Sequence, residues 1–305
     1  MIKLLLMRAK KQDRTMRSVT GLNREQFHSL ALAFQKLLEE SKVKPLIRKP
    51  GAGRKGALKE VEEKLFFLLF YLKAYPTYDL AGVFLQVDRS QPCRWVQKWL
   101  PVLEKTLGRT LDLPKRKIRS VQEFIEAFPE IHDIFIDSTE RASRRPSSYK
   151  NLARRYSGKK KMHTRKNTLI TDEHKRIRFL SSTKNGSLHD FTLLKKEAIT
   201  VNIPKGICVW VDKGYTGIKS ILAEGISCCI PKKMSKKHPL TQAEKQENQI
   251  ISSIRMPVEH AIGGMKRFAC MQTKIRNKNW NIEDSMPLLC AGLWNFHLSQ
   301  SENVK

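Results

Sequence analysis

The chain has 305 residues, 40% of them hydrophobic, with 58 lysines and arginines against 29 acids and a net charge of +29. No apolar run approaches the roughly 20 residues that span a bilayer, and MIKLLLMRAKKQ has too few apolar residues for a signal-peptide core. A membrane protein is therefore not expected, and the expected location is cytoplasmic, associated with the nucleoid. Solubility needs only a small net charge, so a surplus this large points to a polyanion, and nucleic acid is the usual one. Cys93, Cys208, Cys228, Cys229, Cys270 and Cys290 form no C-x-x-C pair. They read as free thiols of a reducing compartment, neither a zinc site nor a disulfide framework.

In chain order, the first expected element is an amphipathic helix at GLNREQFHSLALAFQKLLEE, with Leu22, Phe27, Leu30, Leu32, Phe34, Leu37 and Leu38 at mixed three- and four-residue steps. KPGAGRKGAL (49–58) reads as a basic linker. VEEKLFFLLFYLKAY reads as a buried helix ended by Pro76, TYDLAGVFL as a short helix and QVD as a turn. RSQPCRWVQKWLPVLEKTL then reads as a longer helix capped by Ser90. Two helices joined by a tight turn, the second carrying Arg89, Arg94 and Lys98, suit a helix-turn-helix. An ordinary bundle with a basic face fits the pattern equally.

After a basic connector (111–130) the period changes. IHDIFIDST (131–139) reads as a strand ending in Asp137, and KMHTRKNTLITD and KRIRFLSST as strands around a polar turn at DEHK. HDFTLLKKEA is read as a helix, ICVWVD (207–212) as a strand ending in Asp212, GIKSILAE as a helix and ISCCIP as a strand. A polar stretch without an assigned element follows, then helices at PVEHAIGGMKRF and DSMPLLCAGLWNFHL. The expected organisation is a helical DNA-binding domain over 1–110, the connector, an α/β domain over 131–298 with a mixed sheet flanked by helices, and a tail over 299–305. The strand order matches that of RNase H-like domains, where the first and fourth strands are neighbours.

That order brings Asp137 and Asp212 to one sheet edge, where like charges are costly unless a cation bridges them. Hard oxygen donors suit Mg²⁺ or Mn²⁺. Glu259, in the first turn of the helix that Pro257 favours, is the candidate third acid; alone it reads as a dipole-stabilising surface glutamate. Asp190 competes with Asp212 but follows a loop, where an aspartate often caps the next helix. The stretch 141–166 holds eleven basic residues, Lys159, Lys160 and Lys161 among them, and no acid. It reads as a track along a DNA backbone. Tyr149 and Tyr156 within it suit stacking on unpaired bases.

These blocks together resemble a DDE transposase of a bacterial insertion sequence, from the group related to Harbinger elements. TYDLAGVFLQVDRSQPCRWV resembles its helix-turn-helix. IFIDSTE, YSGKKKMHTRKNTLIT, GSLHDFTLL, VDKGYTG and RMPVEHAIGGMKRF resemble its catalytic blocks in order. Gln86 and Pro92 depart from the helix-turn-helix pattern, and Ser252 stands where some relatives carry a tyrosine. The resemblance implies that Asp137, Asp212 and Glu259, separated by 75 and 47 residues, form a metal-binding triad holding two ions. One ion would activate water or a DNA 3′-hydroxyl and the other stabilise the leaving oxygen. Arg255 and Lys266 match its R-x-x-x-E-x-x-x-x-x-x-K pattern, which implies that both contact DNA, Lys266 by holding a phosphate. The partners implied are transposon ends and target DNA, bound by a homo-oligomer. The alternatives are a non-catalytic DNA-binding protein and a metal-dependent endonuclease without strand transfer.

Overall fold

The structure is a computed structural model that describes residues 2–41, 56–234 and 239–302. Most of the expected linker at 49–58 and the end of the tail lie outside them. The chain divides into two compact units, one of Met1–Leu113, Lys266–Thr273 and Asn279–Lys305, the other of Pro114–Met265 and Lys274–Lys278. The elements of the first part are α1 (Ile2–Ala9), α2 (Asp13–Thr20), α3 (Arg24–Glu40), α4 (Val61–Ala74), α5 (Tyr78–Leu85) and α6 (Ser90–Arg109). There follow α7 (Val121–Ala127), β1 (Asp133–Ala142), α8 (Tyr149–Arg155), β2 (Tyr156–Ser157), β3 (Met162–Asp172), β4 (Ile177–Leu180), β5 (Lys184–Asn185) and α9 (Asp190–Glu197). The chain ends with β6 (Cys208–Val211), β7 (Ser227–Cys229), α10 (Gln242–Ile254), α11 (Met256–Lys266), α12 (Ala269–Gln272) and α13 (Trp280–Glu302). No helix among the described residues is long and apolar enough to cross a membrane. All six cysteines are free thiols.

In the helical unit, the unbroken apolar run Leu65 to Leu69 makes α4 the central, buried helix. Glu63 caps its start by accepting from the Glu60 and Lys59 amides. α5 and α6 form the tight pair expected of a helix-turn-helix. Gln86 takes the left-handed turn conformation at φ 55°, which glycine or asparagine more often fills. Gly82 lets the turn close: a Cβ there would lie 2.8 Å from the Val87 carbonyl oxygen. Ser90 is the first helical residue and not the cap; the Asp88 carboxylate accepts its amide at 2.9 Å.

α13 groups with this helical unit, although most of it falls within the α/β span expected at 131–298 and its last turn in the expected tail. It packs along α6; Asn295 Nδ2 donates to the Asp112 carbonyl at 2.8 Å and Ser299 Oγ to the Asp112 carboxylate at 2.9 Å. A Cβ on Gly292 would lie 2.7 Å from the Leu113 Cδ2, so a larger residue there would have to push that leucine end aside.

The second unit is a mixed sheet with strand order β4-β3-β1-β6-β7. β1 is antiparallel to β3 and parallel to β6, and β6 is parallel to β7. That is the RNase H-like arrangement. Ile134, Ile136, Ile170, Val209 and Val211 from its central strands share one buried cluster with Phe124, Phe179 and Leu194.

Three expected segments fold differently. The connector contains α7, whose cap Ser120 accepts from the Glu123 amide. The polar stretch contains α10, opened by a capping box of Thr241 and Glu244. GIKSILAE is only a 3₁₀ turn, Ile218–Ile221, held between left-handed Gly217 and Gly225.

Candidate active site

β1 and β6 run in register, with Phe135 opposite Trp210 and Ile136 opposite Val211. β6 ends there, whereas β1 continues to Ala142 against β3. Asp137 is thus mid-strand, not terminal as expected, but it is the first β1 residue past the shared ladder. Asp212 is its counterpart on the other strand. Side chains alternate along a strand, so Asp137 lies on the face of Phe135 and Asp212 on that of Trp210. These two rings stack at 6.4 Å. Neighbouring strands are about 4.8 Å apart, so both carboxylates leave one edge, on one face.

Arg255 sits between them. Its Nη2 lies 3.4 Å from Asp137 Oδ2 and its Nη1 3.7 Å from Asp212 Oδ1, and its side chain is only 8% exposed. Burial pushes the Asp137 carboxyl above its ordinary value; the Ser138 amide and Arg255 oppose this, while the charges of Asp212 and Asp190 add to it. The pair therefore demands a positive charge, and a guanidinium supplies it. The sequence placed Arg255 on DNA; its described contacts are with the two acids.

The opposite face of β1 carries a second constellation that sequence reasoning did not assign. Ser138 Oγ donates to Asp190 Oδ1 at 2.6 Å, and its amide donates to Asp137 Oδ1 at 2.7 Å. Lys166, opposite Glu140 across the β1–β3 ladder, reaches Glu140 Oε1 at 3.0 Å and Asp190 Oδ1 at 2.9 Å. It also donates to the Leu188 carbonyl at 3.0 Å. Burial alone would raise Asp190, but the hydrogen bonds from Ser138 and Lys166 outweigh it and hold the carboxyl low. Likewise burial opposes the charge on Lys166, and Asp190 and Glu140 more than restore it. Asp190 is the first residue of α9, with His189 at the cap position. Its carboxylate is committed to Ser138 and Lys166.

Glu259 is exposed in the first turn of α11. Among the described residues no three His, Cys, Asp or Glu side chains form a group able to hold a metal, so Glu259 is not joined to the two aspartates. Arg255, which reaches both aspartates, lies one helical turn before it. Lys266 is half-buried at the end of the same helix, seven residues on, hence on the same side. The Asp137–Asp212 pair fits a hard divalent cation by donor type and by its appetite for positive charge.

Of the DNA-binding candidates, Arg89, Arg94 and Lys98 are exposed on or beside α6, and Arg89 is engaged by Asp79 at 3.3 Å. In the basic stretch 141–166, Lys159, Lys160 and Lys161 are exposed. Arg141, Arg165 and Lys166 are buried, so the run is not one continuous DNA track. Lys159, Lys160 and Lys161 lie in the turn before β3, whereas Arg165 and Lys166 lie within β3, which is buried on both faces, and a count of charges ignores that difference. Tyr149 is 90% exposed, while Tyr156 packs edge-on against His163.

The helix-turn-helix of DDE superfamily endonucleases matches residues 56–109, and the DDE superfamily endonuclease domain matches residues 136–295. The chain is similar to a probable transposase for insertion sequence element IS702 of Microchaete diplosiphon. The identity is 27%, over 94% of this chain and 95% of that protein. No solved structure matches. Two aspartates at the end of the β1–β6 ladder, a helix-turn-helix and a match over more than half the chain lead to one conclusion: this chain belongs to the DDE superfamily endonucleases.

Proposed function

We propose that this protein is a transposase that binds the ends of an insertion sequence, cuts them and joins them to target DNA. The observation that carries the reading is the in-register pair Asp137 and Asp212 with a cation held between them. In this reading Asp137, Asp212 and Glu259 hold Mg²⁺ or Mn²⁺, two ions in all. The bound cations supply activation of the attacking oxygen and neutralise charge on the leaving 3′-oxygen. Asp137 and Asp212 are fixed by the sheet, and Arg255 covers their charges until DNA phosphate and cation arrive. Lys266 and the exposed lysines 159, 160 and 161 hold the backbone, and α6 reads sequence through Arg94 and Lys98. A homo-oligomer bringing two ends together and a place on the nucleoid belong to the same proposal.

The test is an assay of Mg²⁺-dependent nicking and strand transfer on a duplex carrying the terminal repeat of the element. Glu259→Gln is expected to leave fold and DNA binding unchanged and to slow both reactions by orders of magnitude, since each 1.36 kcal/mol of barrier is about tenfold in rate. A folded variant as fast as the parent removes Glu259 from the site. Nicking without joining would favour an endonuclease over a transposase.

Recognition is checked by point variants, because a fragment from residue 111 onward would strip α13 of the α6 surface it packs on. The double variant Arg94→Gln, Lys98→Gln should lower the ratio of terminal-repeat to random-duplex affinity by roughly tenfold or more, if these side chains reach base edges. An unchanged ratio with uniformly weaker binding would assign them to phosphates.

A further inference from the structure

The helical unit contains a basic cleft distinct from the helix-turn-helix and from the paired aspartates. Its volume is about 440 Å³, and its lining includes Arg14, Arg17, Lys73, Arg267 and His297 but no acid. Arg14 and Arg17 are exposed on α2, three residues apart and therefore on one side of the helix. Asp13, the acid beside them, is engaged by Arg24, whose amide and Nε reach it at 3.0 and 2.9 Å. Arg267, between α11 and α12, is half-buried, and its Nε and Nη2 are buried atoms without a hydrogen-bond partner. Its guanidinium lies over the Trp294 ring at 5.3 Å. Lys73 Nζ donates to the Arg267 carbonyl at 2.7 Å, which pins it to the same wall. Gly21, at φ 84°, closes α2 against Phe268; a Cβ would lie 3.0 Å from that ring. The cleft is thus held by packing on several helices and is not a chance meeting of long surface side chains.

The charges in it oppose one another. Burial lowers the Arg267 value, with Arg17 adding to the effect. Burial and then Arg267 lower Lys73, and burial, Arg267 and Arg17 lower His297. Burying unpaired guanidinium donors is costly unless an acceptor meets them. A forked, immobilised guanidinium matches carboxylate and phosphate oxygens alike, and the further cations of the lining, Arg14, Arg17 and Lys73, suit the more highly charged of the two, phosphate.

We propose that this cleft is a phosphate-binding site, with Arg267 as its inner ligand and Arg14, Arg17 and Lys73 around it. The phosphate can come from a DNA backbone or from a small polyphosphate, and the chemistry is the same. The site does not depend on the catalytic reading, since neither Asp137 nor Asp212 takes part.

The test uses the full chain and two variants, Arg267→Gln and the exposed pair Arg14→Gln, Arg17→Gln. A charge-matched control, Lys195→Gln with Lys196→Gln, removes two exposed cations from α9 in the other unit. Circular dichroism establishes that each folds; the exposed pair keeps the test usable should Arg267→Gln not fold. One arm measures affinity for a short random duplex across a salt series. The other measures the thermal shift given by sodium tripolyphosphate against sodium chloride of equal ionic strength. If DNA supplies the phosphate, the double variant lowers the log–log salt slope by up to about 0.9 for each lost contact, and more than the control does. If a small anion supplies it, the parent is stabilised by tripolyphosphate, the cleft variants are not, and duplex binding changes no more than in the control. Cleft variants indistinguishable from the control in both arms overturn the proposal.

Discussion

Asp137→Asn is expected to reduce Mg²⁺-dependent strand cleavage by about a thousandfold or more while leaving the protein folded and able to bind DNA. A carboxylate that helps fix a cation beside the reacting phosphate supports an effect worth several kcal/mol, and each 1.36 kcal/mol is about tenfold in rate. Stability should move the other way. The folded carboxyl titrates above its ordinary value because it is buried, with Asp212 and Asp190 adding to the shift and Arg255 opposing it. A raised carboxylate value means that the charged form costs stability at neutral pH, a cost that fades as pH falls through the folded value. Asparagine removes the charge, so the melting temperature of the variant at neutral pH should equal or exceed that of the parent. Arg255 keeps Asp212 as partner, so no cation is stranded. The combination of lost cleavage, retained DNA affinity and undiminished melting temperature separates a catalytic acid from a structural one. A variant that cleaves normally, or one that loses activity only because it unfolds, would refute the assignment of Asp137 as a metal-holding acid. Chelation of divalent cations should reproduce the loss in the parent without weakening duplex binding.

The central sheet was legible because its strands are apolar runs closed by polar residues. ICVWVD and IHDIFID carry the two aspartates at their shared boundary, where Ile136 stands opposite Val211. What escaped notice was cap chemistry. Two of the unassigned helices, α7 and α10, open on a hydroxyl followed three residues later by glutamate: Ser120 with Glu123, and Thr241 with Glu244. That signature is local and readable, but in each case basic or polar composition suggested a connector. The second omission has a different cause. Lys166 sits in a run of lysines and arginines, and charge counting sends all of them to the surface. Its position opposite Glu140 on β3, with Asp190 arriving from α9, depends on a pairing between strands distant in sequence. Arg255 was read from a motif as a DNA ligand for the same reason: its acids are 118 and 43 residues away along the chain.

Lys166→Met is expected to destabilise the protein by about 3–5 kcal/mol, the usual cost of removing one partner from a buried ion pair. The lysine side chain is 6% exposed, Glu140 8% and Asp190 15%, so water cannot replace the lost ammonium. Two carboxylates would then lie close together without a cation, and one of them would have to take up a proton. Asp190, now held low by Ser138 and Lys166 against the effect of burial, would titrate higher. The parent gains stability from that lowered value at neutral pH and loses it as pH falls through the folded value. The variant should therefore show a smaller loss of stability on acidification than the parent. Adding Glu140→Gln and Asp190→Asn to Lys166→Met should recover part of the deficit, because it removes the stranded charges without restoring the pair. The consequence reaches the catalytic edge through one residue. Ser138 joins Asp190 by its hydroxyl and Asp137 by its amide, so disorder at Asp190 loosens the strand that aims Asp137. Urea titration of parent, single and triple variants, with cleavage measured in parallel, gives the answer. A Lys166→Met protein as stable as the parent would show that the buried network does not hold the sheet together.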